Sequence, residues 1–383
     1  MSSNLISFES SPVLAPGASV VPSPALPGTC IRGRCAPGAS VVVNEEDYYM
    51  KNAKRWLPGA LVSILLIIVI LYFVDLRAML EAIRNANYGL LGIALVIGFI
   101  WMAVRAVVWR TLLRECASYS DVFWTVGEGY LLNNFLPFRL GEIGRAFLLS
   151  RKSDMQFMEI LPTIVIERAM DLGYSAIILL AALPFIVGSE GAERIGIIVG
   201  IIVLVGFIFL YILARNNQWA LDLFHKLSSR WPALQRFGGN FLESFFAGLS
   251  VLTDGWLFVR FLFWMTVNWG IAIVSYYLII RAFFPQAQLV WGMFGLGAAA
   301  FGGAVPSLPG AVGTFEGAFG GAITLLTGDQ STALAVALTG RVYNYINSGV
   351  IGGIGLLKEG QTLSGIYQQL MNFRIKEKVG QIE

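Results

Sequence analysis

The sequence predicts an all-α polytopic membrane protein, with about six full spans and two re-entrant helical hairpins arranged as an inverted repeat. Three observations predict it. Of 383 residues, 56% are hydrophobic and only 13% charged, whereas a soluble domain carries about a quarter charged residues. Apolar runs near the ~20 residues that cross a bilayer alternate with short loops holding Lys and Arg. Two apolar stretches are broken by Pro and Gly and carry ionised side chains, which hydrocarbon tolerates only when they are paired, buried in protein or wetted.

Residues 1–47 are rich in Ser, Pro, Ala and Gly and show no periodic apolar face, so a disordered tail is expected at 1–49. They lack the basic start and apolar run of a signal peptide. The working protein is expected to begin near Met50; intact mass of the native protein checks this. A transmembrane domain at 50–360 and a cytoplasmic tail at 361–383 follow. The run 57–74 is the first span, and Lys51, Lys54 and Arg55 ahead of it place the N-terminus in the cytoplasm. Residues 75–87 form an amphipathic segment at the outer surface. The second span, 88–108, returns to Arg110 and Arg114 inside, and Arg105 near its inner end is expected to snorkel.

Arg151 and Lys152 are also cytoplasmic in character, so 121–150 cannot be one crossing. A hairpin resolves the conflict: 121–136 dips in, 136–141 bends, and 142–149 comes back out. Spans follow at 160–187, outward, and 195–214, inward, and then a cytoplasmic loop at 215–254. After a further span at 257–283, the runs 289–305 and 314–327 form a second hairpin, entered from outside, before the last span, 332–357. Lys358, Arg374, Lys376 and Lys378 place the C-terminus inside. Span, hairpin and span thus recur with every direction reversed, a plan transporters use to build a site at mid-membrane.

The central stretch is 133–149. Arg139, Glu142 and Arg145 stand three apart and share one helical face. Asn133, Pro137 and Gly141 shape the broken backbone there, as Pro306, Pro309, Gly310 and Gly313 do in the second hairpin. Arg139, Arg145, Arg168 and Arg341 are the candidates for a phosphate, whose oxygens suit the planar guanidinium fork. Glu142 is one turn from two of them and either holds or competes for them. Glu167 and Asp171 lie four apart on one face, where like charges repel, so one of the two is expected to hold a proton. Glu316 is expected near the start of a half-helix, whose dipole favours an anion. The plainer reading makes Arg168 with Asp171 and Glu142 with Arg145 structural ion pairs, Asn133, Asn134, Asn344 and Asn347 backbone ties, the glycines of 302–303 and 317–321 close helix contacts, and the tryptophans packing residues.

Other chemistries find little support. A formal net charge of +3 is too dispersed for nucleic acid. Cys30, Cys35, Cys116 and His225 give no metal-ligand pattern, and no phosphate-binding G-x4-G-K-[ST] suggests ATP hydrolysis. No cofactor or metal is expected.

The motifs Asn133-x3-Pro137-x-Arg139-x-Gly141-Glu142-x2-Arg145, Glu167-Arg168-x2-Asp171, Pro306-x2-Pro309-Gly310-x2-Gly313-x2-Glu316 and Arg341 resemble, in this order, the flippase-like transmembrane domain of lysylphosphatidylglycerol synthases and its stand-alone relatives, over about 55–360. The synthases add a soluble aminoacyl-transferase domain after the membrane region. This chain has only a short tail after Lys358, so lysine transfer from tRNA is not expected. The resemblance implies a flippase of the plasma membrane for a phospholipid or a polyprenyl-phosphate-linked lipid. The alternative is an integral-membrane transferase in lipid-linked glycan or lipid modification, drawing on Glu128, Glu142, Glu167 or Asp171. A non-transporting scaffold would not need so many buried charges. Membrane lipids are the expected partners, and a homo-oligomer stays open.

Overall fold

A computed structural model describes residues 75–136, 140–187, 201, 254–305, 309–361 and 365. The chain divides into Met1–Pro58 and Gly59–Glu383, and every described residue belongs to the second unit. The N-terminal tail, the span expected at 57–74, all but Ile201 of the span expected at 195–214, nearly all of the loop at 215–254, most of the C-terminal tail, and Pro137, Arg139 and Pro306 lie outside the described residues.

Among the described residues the secondary structure is helical. The helices are α1 (Leu76–Asn85), α2 (Tyr88–Leu112), α3 (Tyr119–Phe135), α4 (Leu140–Lys152), α5 (Phe157–Ala182), α6 (Pro184–Val187), α7 (Gly255–Phe283), α8 (Leu289–Ala304), α9 (Thr314–Thr327) and α10 (Gln330–Lys358). Short polar residues set the starts: the Asp75, Asn87, Ser118, Asp254 and Asp329 side chains each accept a backbone N–H of the first turn of α1, α2, α3, α7 and α10. Gly328, at φ 74°, ends α9 in the left-handed conformation. The first helix, α1, buries no residue, though it packs on α10.

Among the described residues, three helical stretches are long and apolar enough to cross a membrane: Tyr88–Leu112, Phe157–Ile186 and Gly255–Phe283. At 29 residues α10 matches their length, but Arg341, Asn344 and Asn347 interrupt its apolar character. The arms α3 and α4 are about 25 and 20 Å long, and α8 and α9 about 24 and 21 Å, at 1.5 Å per residue. Each falls short of the ~30 Å hydrocarbon layer. In both pairs the two arms pack on each other.

The packing repeats between the two halves. In the first, α2 packs on α3, α3 on α4 and α4 on α5; in the second, α7 on α8, α8 on α9 and α9 on α10. Across the halves α2 packs on its counterpart α7, while α3 packs on α10 and α8 on α5. Exchanging the halves maps the α2–α7 contact onto itself and each of the others onto a counterpart. The α2 and α7 helices run antiparallel: the Asn87 N–H donates to the Ala282 carbonyl at 2.8 Å, the Ser275 hydroxyl to Ala94 at 3.4 Å, and the Asn268 amide to Trp101 at 3.1 Å. One apolar core surrounds Trp109, Phe261 and Met265, and another surrounds Phe319, Ile279 and Ala333.

Close approach requires small residues. A Cβ on Gly352 of α10 would lie 2.6 Å from the Gly127 carbonyl oxygen of α3, and one on Gly302 of α8 would meet Ala318 and the Thr314 carbonyl of α9. Gly302 is therefore a helix contact, as its plainer reading holds.

Candidate functional site

Three guanidiniums and three carboxylates meet between α2, α4 and α5. Arg105 of α2 is 1% exposed. It does not snorkel: its Nη1 donates to Asp171 Oδ1 at 2.8 Å, and its Nη2 contacts both Asp171 and Glu167. Snorkelling requires a short route to the headgroups, and Arg105 instead finds two carboxylates of α5. Arg145 of α4 is also buried. It donates to Glu167 from both terminal nitrogens, one at 3.3 Å, and its guanidinium carbon lies 4.0 Å from the Trp109 ring centroid. Trp109 is itself held by its Nε1–H donating to Thr163 Oγ1 at 3.0 Å. Arg168, partly accessible, donates from Nη1 to Asp171 Oδ2 at 3.2 Å, and its Nε lies 2.8 Å from Glu142 Oε1.

These contacts revise the pairing expected from spacing. Arg168 with Asp171 forms as predicted, but Arg145 takes Glu167 from the next helix, and Glu142 reaches Arg168. The repulsion expected between Glu167 and Asp171 is relieved by Arg105, which touches both. With each group in its ordinary ionised form the six charges cancel. That balance lets them sit in an apolar interior, since one unpaired charge there costs several kcal/mol.

A second cluster holds the other hairpin. Glu316 is the third residue of α9, and its Oε2 accepts the Gly313 N–H at 2.8 Å. Arg341 of α10 donates to the same oxygen at 2.9 Å and to the Ala311 carbonyl at 3.0 Å, and also contacts the Gly310 carbonyl. The turn Pro309–Ala311 has φ 71° at Gly310 and 56° at Ala311, and φ is 88° at Gly313. A left-handed bend is thus clamped by one arginine. A Cβ on Gly310 would lie 2.9 Å from the Tyr345 hydroxyl and 3.5 Å from the Asn134 carbonyl oxygen, so the end of α3 meets the turn Pro309–Ala311. Gly310→Ala is expected to lower the thermal unfolding midpoint, through about 1–2 kcal/mol of backbone strain plus the contact with Tyr345.

The clusters correspond. Glu142 is the third residue of α4 and Glu316 the third of α9, and each pairs with an arginine of the following long helix, Arg168 or Arg341. Gly141 packs so closely that a Cβ on it would collide with Gly129 and Asn133 of α3. Asn134 ties α3 to α10 through Ser348 Oγ at 2.8 Å.

A cavity of about 360 Å³ opens beside the first cluster, within the size range of small-molecule sites. Arg105, Arg168, Asp171, Asn268, Trp101 and Trp269 are among its lining residues, drawn from both halves. Arg145 and Arg341 are not among them. Sequence reasoning passed over Arg105 and Asn268 as site residues. The signal for both was a polar side chain inside an uninterrupted apolar run.

A third ionic group, built from Lys152, Glu128 and Glu359, joins α3, the end of α4 and the end of α10. The Lys152 ammonium donates to Glu128 at 2.8 Å and to Thr125 at 2.9 Å, and contacts Glu359.

Comparison with known proteins agrees with the motifs. A UPF0104 membrane protein of Methanothermobacter thermautotrophicus is 22% identical over 320 residues, 80% of this chain and 93% of the relative. No solved structure matches the chain. The family described as the lysylphosphatidylglycerol synthase TM region matches residues 56–352. The match runs unbroken through both hairpins and both clusters, and the chain belongs to that family.

Proposed function

We propose that this protein is a flippase that moves an anionic phospholipid or a polyprenyl-phosphate-linked lipid across the plasma membrane. Its termini are cytoplasmic; α3 with α4 enters from the cytoplasmic side and α8 with α9 from outside, as re-entrant hairpins of an inverted repeat. The halves rock about the α2–α7 contact and expose the cavity to each leaflet in turn.

The observation that carries this reading is the cavity. It lies where the two halves meet, and the Arg168 guanidinium is in its wall. A phosphate arriving there meets a planar donor already oriented by Glu142 and Asp171. The carboxylates hold the arginine while the site is empty, and the phosphate takes over part of their role when it is filled. Arg145 and Arg341 position the hairpins around the site, so the phosphate contact falls chiefly to Arg168. Arg139, which lies outside the described residues, belongs to the same proposal as a further phosphate partner.

The test is movement of a labelled anionic lipid in proteoliposomes. Arg168→Ala is expected to slow it at least about tenfold, the effect of one charge-assisted hydrogen bond. Equal rates for the variant and the native protein would remove the phosphate-binding assignment.

A further inference from the structure

We infer that Glu128, Lys152 and Glu359 form a proton-binding site, and that the proton it holds keeps the end of α10 closed on α3 and α4. Charge is the first observation. One ammonium faces two carboxylates: Lys152 Nζ donates to Glu128 Oε2 at 2.8 Å and contacts Glu359. Without a proton the group carries an excess negative charge, and with one it is neutral. The Glu128 and Glu359 carboxyls also lie within hydrogen-bond reach of each other, and two carboxyls make that bond only when one of them carries a hydrogen. Glu128 itself is the second observation. It is fully buried, and its Oε1 has no donor. That oxygen fits against Gly355 of α10, where a Cβ would collide with it. A bound proton turns the pair of carboxyls into a donor and an acceptor, and it is a ligand that needs no cavity.

Among the described residues, the other charges on the surrounding helices have contacts of their own. On α4, Arg145 is paired with Glu167, and the Arg151 guanidinium lies 5.8 Å from the Phe147 ring centroid. On α10, Lys358 turns to the Trp124 ring, 4.0 Å from its centroid, and Arg341 holds Glu316. Arg105 of α2 serves Glu167 and Asp171, and the turn Pro309–Ala311 brings no titratable side chain. The charge of Glu128 and Glu359 is therefore balanced by Lys152 and a proton. Glu359, with its side chain 24% exposed, gives that proton a route to water, on the side that the proposed topology makes cytoplasmic. Gly355 and Glu359 are four apart and share a face of α10, so one helix end both makes room for Glu128 and covers it. Because α3 and α4 belong to the first half and α10 to the second, the site bridges the halves. When the proton leaves to water, two carboxylates face one ammonium, and the end of α10 parts from Glu128. The closed form binds the extra proton, so closure is favoured at low pH and is lost as pH rises through the titration of the pair.

The test uses the full-length protein in detergent. Infrared difference spectra across a pH titration follow the carbonyl stretch of a protonated carboxyl. The native chain is expected to show such a band and to lose it as pH rises. Glu359→Gln, at a partly accessible helix end where folding is not at risk, leaves one carboxylate for one ammonium and is expected to lack the band near neutral pH. The movement is read separately, by the distance between spin labels on Ser120→Cys of α3 and Leu357→Cys of α10, both exposed, with the three native cysteines replaced by Ser. That distance is expected to lengthen as pH rises in the otherwise native chain. It is expected to stay fixed in Glu359→Gln, whose amide donates to Glu128 at any pH. A native protein without the band, a distance that ignores pH, or one that still follows pH in Glu359→Gln overturns the inference. Neither readout involves lipid movement, so a protein that moves no lipid in proteoliposomes would sink the flippase reading and leave this site standing.

Discussion

Glu167→Gln is expected to destabilise the protein by about 3–5 kcal/mol, because it leaves two buried arginines facing a neutral amide. Glu167 is fully buried and contacts both Arg105 and Arg145. Gln fills the same volume, so neither a cavity nor a clash accounts for the loss; the change is electrostatic. Arg145→Met is expected to be similarly damaging alone, and the double variant Arg145→Met, Glu167→Gln to lose clearly less than the sum, since the two residues form one interaction. Denaturant unfolding in detergent micelles, read by tryptophan fluorescence, measures all three. A Glu167→Gln loss below about 1 kcal/mol would show that the cluster is solvated rather than sealed.

Gly141→Ala is expected to be nearly as severe, at about 3 kcal/mol, the upper range for overpacking. The added carbon meets the Gly129 carbonyl and the Asn133 backbone and side chain. Backbone cannot swing aside as a flexible side chain does, so the arms α3 and α4 must separate. Separation moves Glu142 away from Arg168, and lipid movement should fall together with stability. Gly92→Ala is the comparison, because nothing lies within 4 Å of a Cβ there; helix propensity alone would then make it neutral or mildly stabilising. The thermal midpoints of the two variants should differ by several degrees, and equal midpoints would mean that the hairpin is loosely packed.

The fold was legible wherever apolar periodicity and polar caps coincide. The runs expected at 257–283, 289–305 and 314–327 match α7, α8 and α9 to within two residues at each end. Each is bounded by Asp, Gln or Gly at a position where only a cap or a turn suits such a residue. Helix partners were less legible. Spacing within one helix suggested Glu142 with Arg145, but a charge buried between helices chooses whichever opposite charge tertiary packing brings near, and for Arg145 that was Glu167. Arg105 was misjudged for the same reason. Depth along its own helix indicated an easy exit to the headgroups, and only the position of α5 shows why it stays inside. The cavity was not legible at all, because Asn268 and Trp269 read as ordinary members of an apolar helix until α2 and α8 are placed around them.

The exchange of partners between the halves has a consequence for biogenesis. The first arm of each hairpin, α3 or α8, rests against the last long helix of the opposite half, α10 or α5. A nascent chain emerging from the ribosome as far as Val187 therefore presents Gly127 and Glu128 with no Gly352 or Gly355 to cover them. That surface stays uncovered until some 170 further residues are made, so the N-terminal half completes its own helices long before its packing is complete.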